Sequence, residues 1–204
     1  NCQESAASAP AAPDILVLPG VHDALGCRLA EAAGFAALTA GGYGATATLL
    51  GRPDSSQLSL TELSEMYSRF CDASPLPLLA DADTGFGELT NVARAVREYE
   101  RAGAAAVQIE DQVFPKRCGH MPGKEVVPAD EMVRKIEAAC LARRDDDFVI
   151  VARTDARAAV HASEISLVCV GTPSAANGSQ DQRALLNLAR AIGGLRAHAP
   201  SGTS

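Results

Sequence analysis

The feature that most constrains the fold is a regular alternation of short apolar segments with amphipathic segments between residues 15 and 152. The apolar runs predict buried strands at 15–18, 36–39, 76–80, 105–110 and 148–152. The amphipathic runs predict helices at 24–33, 59–73, 90–102 and 129–143, since Val92, Val96 and Tyr99, like Met132, Ile136 and Cys140, recur at helical spacing. Continuous apolar strands joined by helices indicate an α/β fold whose parallel sheet is covered on both faces.

Polar or glycine residues follow each predicted strand after the first. They are Gly41 to Gly44 after the second, Asp81 and Asp83 after the third, Glu110 to Lys124 after the fourth, and Arg153 and Asp155 after the fifth. A barrel gathers the carboxyl ends of all its strands around one opening, whereas an open sheet does so only near its switch point. We therefore predict a partial (β/α)8 TIM-type barrel of about five to six β-α units over residues 14–160.

Composition limits the class of protein. The chain has 204 residues, 47% of them hydrophobic, with a net charge of −7, which fits one well-buried domain after a disordered tail at residues 1–13. It has no basic patch, no apolar run long enough to span a bilayer and no secretion signal. We expect a cytoplasmic protein without nucleic-acid or membrane partners. The six cysteines form no CxxC pair, so neither a disulfide framework nor a zinc site is expected.

Acidic residues stand at the ends of two predicted strands. Asp81 and Asp83 follow one, and Glu110 with Asp111 ends the next. Because alternate strand residues point to one side, Asp81 and Asp83 are expected to converge, and a divalent cation with oxygen ligands would offset their repulsion. Two other interpretations stay open. The aspartates could cap the helix near Thr90 or lie in solvent, and Glu110 with Asp111 could be a surface pair in which Asp111 is structural.

A polar loop follows Glu110 and contains a cysteine between basic residues. It carries Lys116, Arg117, Cys118, Gly119, His120 and Lys124. This electropositive setting is typical of a reactive thiol, although the cysteine could be inert, the histidine could only hold the loop, and the lysines and arginine could be solvated. Elsewhere, Arg153 and Asp155 could form a structural ion pair, His22 with Asp23 could cap a helix, and Asp54 could be a turn residue.

Six segments together resemble the isocitrate lyase and phosphoenolpyruvate mutase superfamily over roughly residues 14–160. They are Pro19-Gly20-Val21-His22-Asp23-Ala24, Leu50-Gly51-Arg52-Pro53-Asp54, Asp81-Ala82-Asp83-Thr84-Gly85-Phe86-Gly87, Ile109-Glu110-Asp111-Gln112, Lys116-Arg117-Cys118-Gly119-His120 and Arg153-Thr154-Asp155-Ala156. The Lys-Arg-Cys-Gly-His loop is similar to the carbon–carbon lyase branch, which includes methylisocitrate lyase and dimethylmalate-lyase-like enzymes.

The resemblance implies a cofactor, a substrate class and a set of site residues. Mg²⁺ or Mn²⁺ would be held by Asp81, Asp83 and Glu110, with Asp54 nearby. A small 2-hydroxy dicarboxylate or tricarboxylate would be cleaved to a 2-oxo acid and a carboxylic acid, in a homo-oligomer that is typically a tetramer. The implied catalytic residues are Cys118 as general acid with Lys116, Arg117, His120 and Arg153, and the implied substrate contacts are Gly41, Gly42, Tyr43, Gly119 and Arg153.

Other interpretations of the same site remain open. One is hydrolysis or decarboxylation of oxaloacetate, or phosphonate chemistry; another is a truncated or fused chain without activity. Thr39 and Gly41 stand where these lyases often have Tyr and Ser.

Residues 161–193 resemble a strand-loop-helix stretch of UDP-glucose and GDP-mannose dehydrogenases. The GxGxxG turn of those enzymes is missing here, so NAD binding is not expected. A sixth β-α unit is the alternative for this segment, and residues 161–204 are treated as a separate region.

Overall fold

The computed structural model describes residues 16–117 and 124–154, all within one compact unit. In these ranges the chain forms five helices and four strands. In order they are α1 (Ala24–Ala32), β1 (Leu38–Ala40), α2 (Gly42–Leu50), α3 (Leu60–Ala73), β2 (Leu78–Asp81), α4 (Leu89–Arg101), β3 (Ala106–Glu110), α5 (Ala129–Ala142) and β4 (Val149–Arg153).

The four strands form one parallel sheet in the order β1-β2-β3-β4. The register pairs Leu38 with Leu78, Leu79 with Ala106, and Ala106 with Val149. Successive strands are always neighbours, so within the described residues the sheet has no point where its order reverses, as a doubly wound fold would require. This is the arrangement of a barrel sector, and the predicted α/β class with TIM-type topology is confirmed.

Local sequence signals explain where the helices begin and end. Ser59 caps α3 in a reciprocal capping box with Glu62, and Asp23 caps α1 by accepting a 2.6 Å hydrogen bond from the Gly26 amide. Gly34 and Gly103 follow α1 and α4 with φ of 84° and 91°, a left-handed conformation that costs glycine little. Asp23 thus has the expected capping role, and the helix ends predicted at residues 33 and 102 lie within one residue of the observed ends.

The core lies between the sheet and the helices. On α4 the predicted stripe of Val92, Val96 and Tyr99 is fully buried. The prediction for α5 is wrong at Cys140, which is exposed, whereas Ala139 is fully buried. Of the predicted stripe, Met132 and Ile136 do pack against the core and are partly buried, so the helix face is predicted correctly except at Cys140.

Two further predictions need correction. The strand predicted at 15–18 is not formed at the described positions 16–18; the pairing occurs farther along, where Val21 donates to the Thr39 carbonyl (2.9 Å) and Thr39 donates to that of Pro19 (3.1 Å). Strand β1 has only three residues, so few of its backbone groups can pair with a preceding strand. Helix α2 was not predicted, because glycines and β-branched threonines are weak helix formers.

Two negative findings apply to the described ranges alone. No helix there combines the length and apolar character needed to cross a bilayer. Cys140, which is exposed on α5, is a free thiol. The tail at residues 1–13 and the region 161–204 lie outside the described residues, so the predicted domain boundaries stay predictions.

Candidate functional site: a carboxylate cluster around a buried lysine

The carboxyl ends of the strands converge on the ammonium of Lys116. Its Nζ lies 2.7 Å from Oδ1 of Asp83 and 2.8 Å from Oδ2 of Asp54. It also lies 3.9 Å from Oε1 of Glu110 and 4.0 Å from Oδ2 of Asp81. These four acidic side chains, here called the carboxylate cluster, are all at most 10% exposed. The structure therefore brings together all four residues that were assigned to the metal site.

The turn after β2 determines how Asp81 and Asp83 meet. Asp81 is the last residue of β2, but Asp83 lies beyond it with a left-handed φ of 48°. The two carboxylates converge as expected, but the expected reason is wrong, because Asp83 is not a residue of the strand. A turn brings them together: the Asp83 amide donates to Oδ1 of Asp81 (2.9 Å), and the Glu110 amide donates to the Asp83 carbonyl (2.8 Å).

Helix α2 contributes its amino terminus to the cluster. The Gly42 amide donates a 3.0 Å hydrogen bond to Oδ2 of Asp81. A Cβ atom at Gly42 would lie 3.2 Å from Oδ2 of Asp54 and 3.3 Å from both Oδ1 of Asp83 and Nζ of Lys116. The cluster thus occupies the space that any other residue would fill at this position.

The other two residues of the predicted substrate loop have different surroundings. Gly41 is the N-cap of α2 and provides no side chain for capping. Tyr43 lies in the first turn of α2 and is 63% exposed. The segment predicted as a loop is therefore the beginning of a helix, and in the described structure only Gly42 donates from it to the cluster.

Arg153 reaches the cluster from the end of β4. Glu110 and Arg153 are paired in the β3–β4 register, and the arginine Nη1 lies 3.0 Å from Oε2 of Glu110. The predicted ion pair of Arg153 with Asp155 cannot be followed, because residue 155 lies outside the described ranges. Asp111 has a structural role, as one interpretation held, because Thr154 donates a 2.5 Å hydrogen bond to it.

Burial and crowding change the protonation of the cluster. Burial raises the pKa of Glu110 to about 7, although Arg153 and Lys116 oppose the shift. Burial, with the charge of Asp81, raises the pKa of Asp83 to about 6. Burial alone would lower the pKa of Lys116, but the surrounding carboxylates outweigh it and raise that pKa above the usual range. Burial and crowding thus favour proton uptake by Glu110 and Asp83, so the cluster carries its full formal negative charge only above about pH 7.

The donor chemistry of the cluster fits a divalent cation. Its four carboxylates face two cationic side chains, Lys116 and Arg153, which leaves a formal excess of two negative charges. Both carboxylate oxygens of Glu110 are buried, and neither accepts a well-aligned hydrogen bond. Oxygen donors of this kind suit Mg²⁺. In the described residues, however, no three acidic, imidazole or thiol groups already stand in a metal-binding arrangement.

The polar loop is only partly described. Cys118, Gly119 and His120 lie outside the described residues, so their predicted roles stay predictions. Lys116 is 5% exposed, which contradicts the interpretation of a solvated charge, whereas Arg117 is exposed.

The sequence interpretation missed a role for Gln112 in this loop. Its side chain donates to the Arg117 carbonyl (3.1 Å) and accepts from the Arg117 amide (3.0 Å). Gln112 belongs to the Ile109-Glu110-Asp111-Gln112 segment, and this was the only feature of the sequence that pointed to a role for it. This clamp fixes the backbone immediately before Cys118.

The remaining local alternatives are resolved by the same geometry. Helix α4 has Glu88 as its N-cap, without a side-chain cap, so Asp81 and Asp83 do not cap it. Asp54 is a buried partner of Lys116 and not only a turn residue. A cavity of about 430 Å³ opens beside Asp83, lined by polar and aromatic residues that include Arg94 and Phe114.

A comparison with protein families decides the affiliation. Residues 9–168 match the family described as phosphoenolpyruvate phosphomutase. The chain belongs to this family. The match ends at residue 168, a few residues beyond the predicted boundary at residue 160, which stays a prediction. The predicted resemblance to the isocitrate lyase and phosphoenolpyruvate mutase superfamily is thereby confirmed, while that of the later residues to sugar dehydrogenases stays a prediction.

Curated relatives of this phosphoenolpyruvate phosphomutase family member include carbon–carbon lyases. The chain is 50% identical over 143 residues to 2,3-dimethylmalate lyase of Eubacterium barkeri, a match covering 70% of this chain and 50% of the relative. It is 52% identical over 144 residues to 2-methylisocitrate lyase of Aeropyrum pernix, covering 71% and 46%. The chain thus spans about half the length of these relatives.

Solved structures of the same superfamily share the fold. A crystal structure of 2,3-dimethylmalate lyase, a PEP mutase/isocitrate lyase superfamily member, matches with a TM-score of 0.66 and 44% identity, covering 70% of this chain and 49% of that one. Phosphonopyruvate hydrolase in complex with oxalate and Mg²⁺ matches with a TM-score of 0.64 and 36% identity, covering 76% and 50%.

Proposed function

We propose that this family member acts as a Mg²⁺-dependent carbon–carbon lyase on a small 2-hydroxy dicarboxylate or tricarboxylate, such as a 2-methylisocitrate-like or 2,3-dimethylmalate-like acid. The observation that carries the proposal is the carboxylate cluster, whose excess of two negative charges at the carboxyl ends of the strands equals the charge of one divalent cation. The two lyases that are about half identical to this chain support the reaction class.

The residues that would hold the cation are Asp81, Asp83 and Glu110, with Asp54 close by. A bound Mg²⁺ would act as a Lewis acid and stabilise negative charge on the hydroxyl and carboxylate oxygens of the substrate. The protein keeps these carboxylates in place through the Gly42 and Asp83 amides and through Lys116. The carboxylates would still have to move closer together when the cation enters, because in the described residues no three of them already stand in a metal-binding arrangement.

Arg153 is positioned to bind a substrate carboxylate. One of its terminal nitrogens faces Glu110 beside the cluster, and the planar guanidinium is the side chain best shaped to pair with a carboxylate. Lys116 adds a second positive charge at the same edge of the sheet. We propose that Arg153 contacts a substrate carboxylate beside the metal, while Lys116 holds the acidic side chains of the cluster.

The bond-breaking step requires a proton at its end. Transfer of the substrate hydroxyl proton to a base, such as a water molecule at the site, allows the adjacent carbon–carbon bond to break. This yields a 2-oxo acid and a carbanion stabilised by its carboxylate. The sequence makes Cys118 the candidate acid that protonates this carbanion, since neighbouring cations lower the pKa of a thiol. Arg117 and His120 would contribute to this setting, and Gly119 would contact the substrate.

Product analysis tests the proposal. The chain is incubated with 2-methylisocitrate or 2,3-dimethylmalate, with Mg²⁺ or with a chelator, and the 2-oxo acid is followed by NMR. We expect release only with metal, and its loss in Asp81→Asn and Cys118→Ser. Asp130→Asn is the matched control, because Asp130 is 81% exposed on α5. Equal turnover with the chelator, or in Asp81→Asn, would refute the metal assignment.

Hydrolysis at the same site is a second candidate function, favoured by the similarity to phosphonopyruvate hydrolase. The lyase reaction yields a 2-oxo acid and a carboxylic acid. Hydrolysis of a phosphonate would release phosphate, and oxaloacetate would release acetate or carbon dioxide. Assaying phosphonopyruvate and oxaloacetate beside the hydroxy acids separates these reactions. Turnover of none of them would favour the third interpretation, an inactive chain.

We also propose that the protein forms a homo-oligomer. Leu25 and Leu29 lie one helical turn apart on α1 and are 66% and 61% exposed, which is unusual for paired leucines in an isolated subunit. Analytical ultracentrifugation of the full chain tests this assembly. A monomer at all concentrations would contradict it.

A further inference from the structure

We infer that Tyr67 and Tyr99 are positioning residues that hold the backbone at Asp81, and thereby aim its carboxylate at the divalent cation. This inference rests on the proposed function, because it assigns Asp81 to the metal. It adds two residues that lie behind the site and have no place in the sequence motifs. Neither tyrosine touches the substrate in this proposal.

The two hydroxyl groups meet at one oxygen atom. Tyr67 Oη and Tyr99 Oη each lie 3.1 Å from the backbone carbonyl oxygen of Asp81. Tyr67 comes from α3 and Tyr99 from α4, so two helices reach the same point from outside the sheet. A carbonyl oxygen has two lone pairs and can accept from both hydroxyls at once.

The rest of Asp81 is held from other directions. Its carboxylate accepts hydrogen bonds from the Gly42 and Asp83 amides, at 3.0 Å and 2.9 Å. Its carbonyl lies at the last position of β2, where the regular strand ends. The tyrosines therefore hold the last carbonyl of β2 from the helix side, while the Ala82 amide bonds to the Gln108 carbonyl of the neighbouring strand (2.9 Å). Fixing this backbone also restricts the Asp81 carboxylate.

Burial and ring packing restrict the movement of both tyrosine side chains. Both tyrosines are 0% exposed, and their rings pack edge to face with centroids 5.1 Å apart. Burial, together with nearby carboxylates, raises the pKa of Tyr67 well above its usual value, so the hydroxyl stays protonated and remains a donor. A protonated buried hydroxyl needs an acceptor, and the Asp81 carbonyl provides it for both tyrosines; the Ala40 carbonyl is a second, longer acceptor for Tyr67, at 3.4 Å.

Phenylalanine variants separate the hydroxyl groups from the rings. The test measures Mn²⁺ affinity by calorimetry for the wild-type chain, Tyr67→Phe, Tyr99→Phe and the double variant. We expect about tenfold weaker Mn²⁺ binding in the double variant, which is the lower end of the effect seen when groups that hydrogen-bond to metal ligands are removed. If the two effects add in free energy, each single variant should bind about threefold more weakly. The single variants keep the test decisive if the double variant does not fold.

A packing control distinguishes positioning from general destabilisation. Phe70 packs against Tyr67 with ring centroids 6.2 Å apart and is 3% exposed, and its side chain carries no hydroxyl. Phe70→Leu should lower the melting temperature without weakening Mn²⁺ binding. If it weakens binding as much as the tyrosine variants do, or if those variants bind as tightly as wild type, the inference is overturned.

Hydrogen exchange provides a readout without metal. The amides of Gly42 and Asp83 donate to the Asp81 carboxylate, so they should exchange faster in the double tyrosine variant and remain unchanged in Phe70→Leu. Unchanged exchange in the double variant would overturn the inference. If the wild-type chain takes up no Mn²⁺, the proposed function fails, but exchange still decides whether the hydroxyls hold Asp81.

Discussion

The Nζ atom of Lys116 lies 2.8 Å from Oδ2 of Asp54, a residue 62 positions earlier in the chain. Both side chains are 4% exposed, so water screens this ion pair poorly. The same ammonium also touches Asp83, so one cation balances much of the buried acidic charge. Lys116 is therefore the residue on which the stability of the metal-free cluster depends most directly.

Replacing Lys116 by methionine removes the charge and keeps most of the side-chain volume. Four carboxylates would lose a nearby cation, and breaking a buried ion pair typically costs about 3–5 kcal/mol. We expect a loss of that order in the free energy of unfolding at pH 7, measured by urea denaturation with chelator present. Arg69→Met is the control, since Arg69 is 69% exposed and its pair with Glu65 should contribute under about 1 kcal/mol. Equal effects in the two variants would contradict the assignment.

Stability should fall as the pH rises through the range set by Glu110. The folded state raises its pKa from 4.5 to about 7, so the folded protein binds the proton more tightly than the unfolded chain. The resulting stabilisation is complete below pH 4.5 and is lost as the pH rises to about 7, by at most about 3 kcal/mol. Urea unfolding in chelator at several pH values measures this slope.

The Glu110→Gln variant tests whether Glu110 causes this pH dependence. We expect a flatter profile between pH 5 and about 7, with a residual slope from Asp83, whose pKa is raised to about 6. Glu65→Gln is the control, since its side chain is 65% exposed. A profile in Glu110→Gln identical to that of the wild type would refute the assignment.

Gly42→Ala should disturb the cluster although alanine favours helices. The new Cβ would lie 3.2–3.3 Å from atoms of Asp54, Asp83 and Lys116, which are already close to one another. We expect a loss of about 1–3 kcal/mol, typical of overpacking, together with weaker Mn²⁺ binding. Thr48→Ala, at an exposed position of the same helix, should be neutral or slightly stabilising. A stabilised Gly42→Ala protein with normal metal affinity would contradict the close packing.

The sequence predicted the elements that have strong local signals. Amphipathic runs located α3 and α4, and short apolar runs located β2, β3 and β4 to within two residues. Helix α2 escaped prediction because Gly42, Gly44 and its threonines resemble a loop by propensity. Its formation depends on Asp81, which lies 39 residues away and accepts a hydrogen bond from its first turn.

The sequence identified most residues of the candidate site but not how they are arranged. Acidic residues at strand ends identified Asp81, Asp83 and Glu110, because parallel strands bring their carboxyl ends to one edge. The burial of Lys116 was not predictable, since a charged run usually lies in solvent and only contacts distant in sequence reverse that expectation. The left-handed turn at Asp83 and the paired tyrosine hydroxyls likewise require three-dimensional information.

Gln112 should control how easily the chain opens just before Cys118. Its side-chain amide makes two hydrogen bonds to the backbone of Arg117, and together such bonds contribute about 1–3 kcal/mol. In Gln112→Ala we expect trypsin to cleave after Lys116 or Arg117 about tenfold faster or more, because cleavage requires local opening. Mass spectrometry of the early fragments identifies the site. Gln57→Ala is the control, since Gln57 is exposed and its contacts are local. Cleavage at the wild-type rate would show that the Gln112 clamp does not limit opening of this segment.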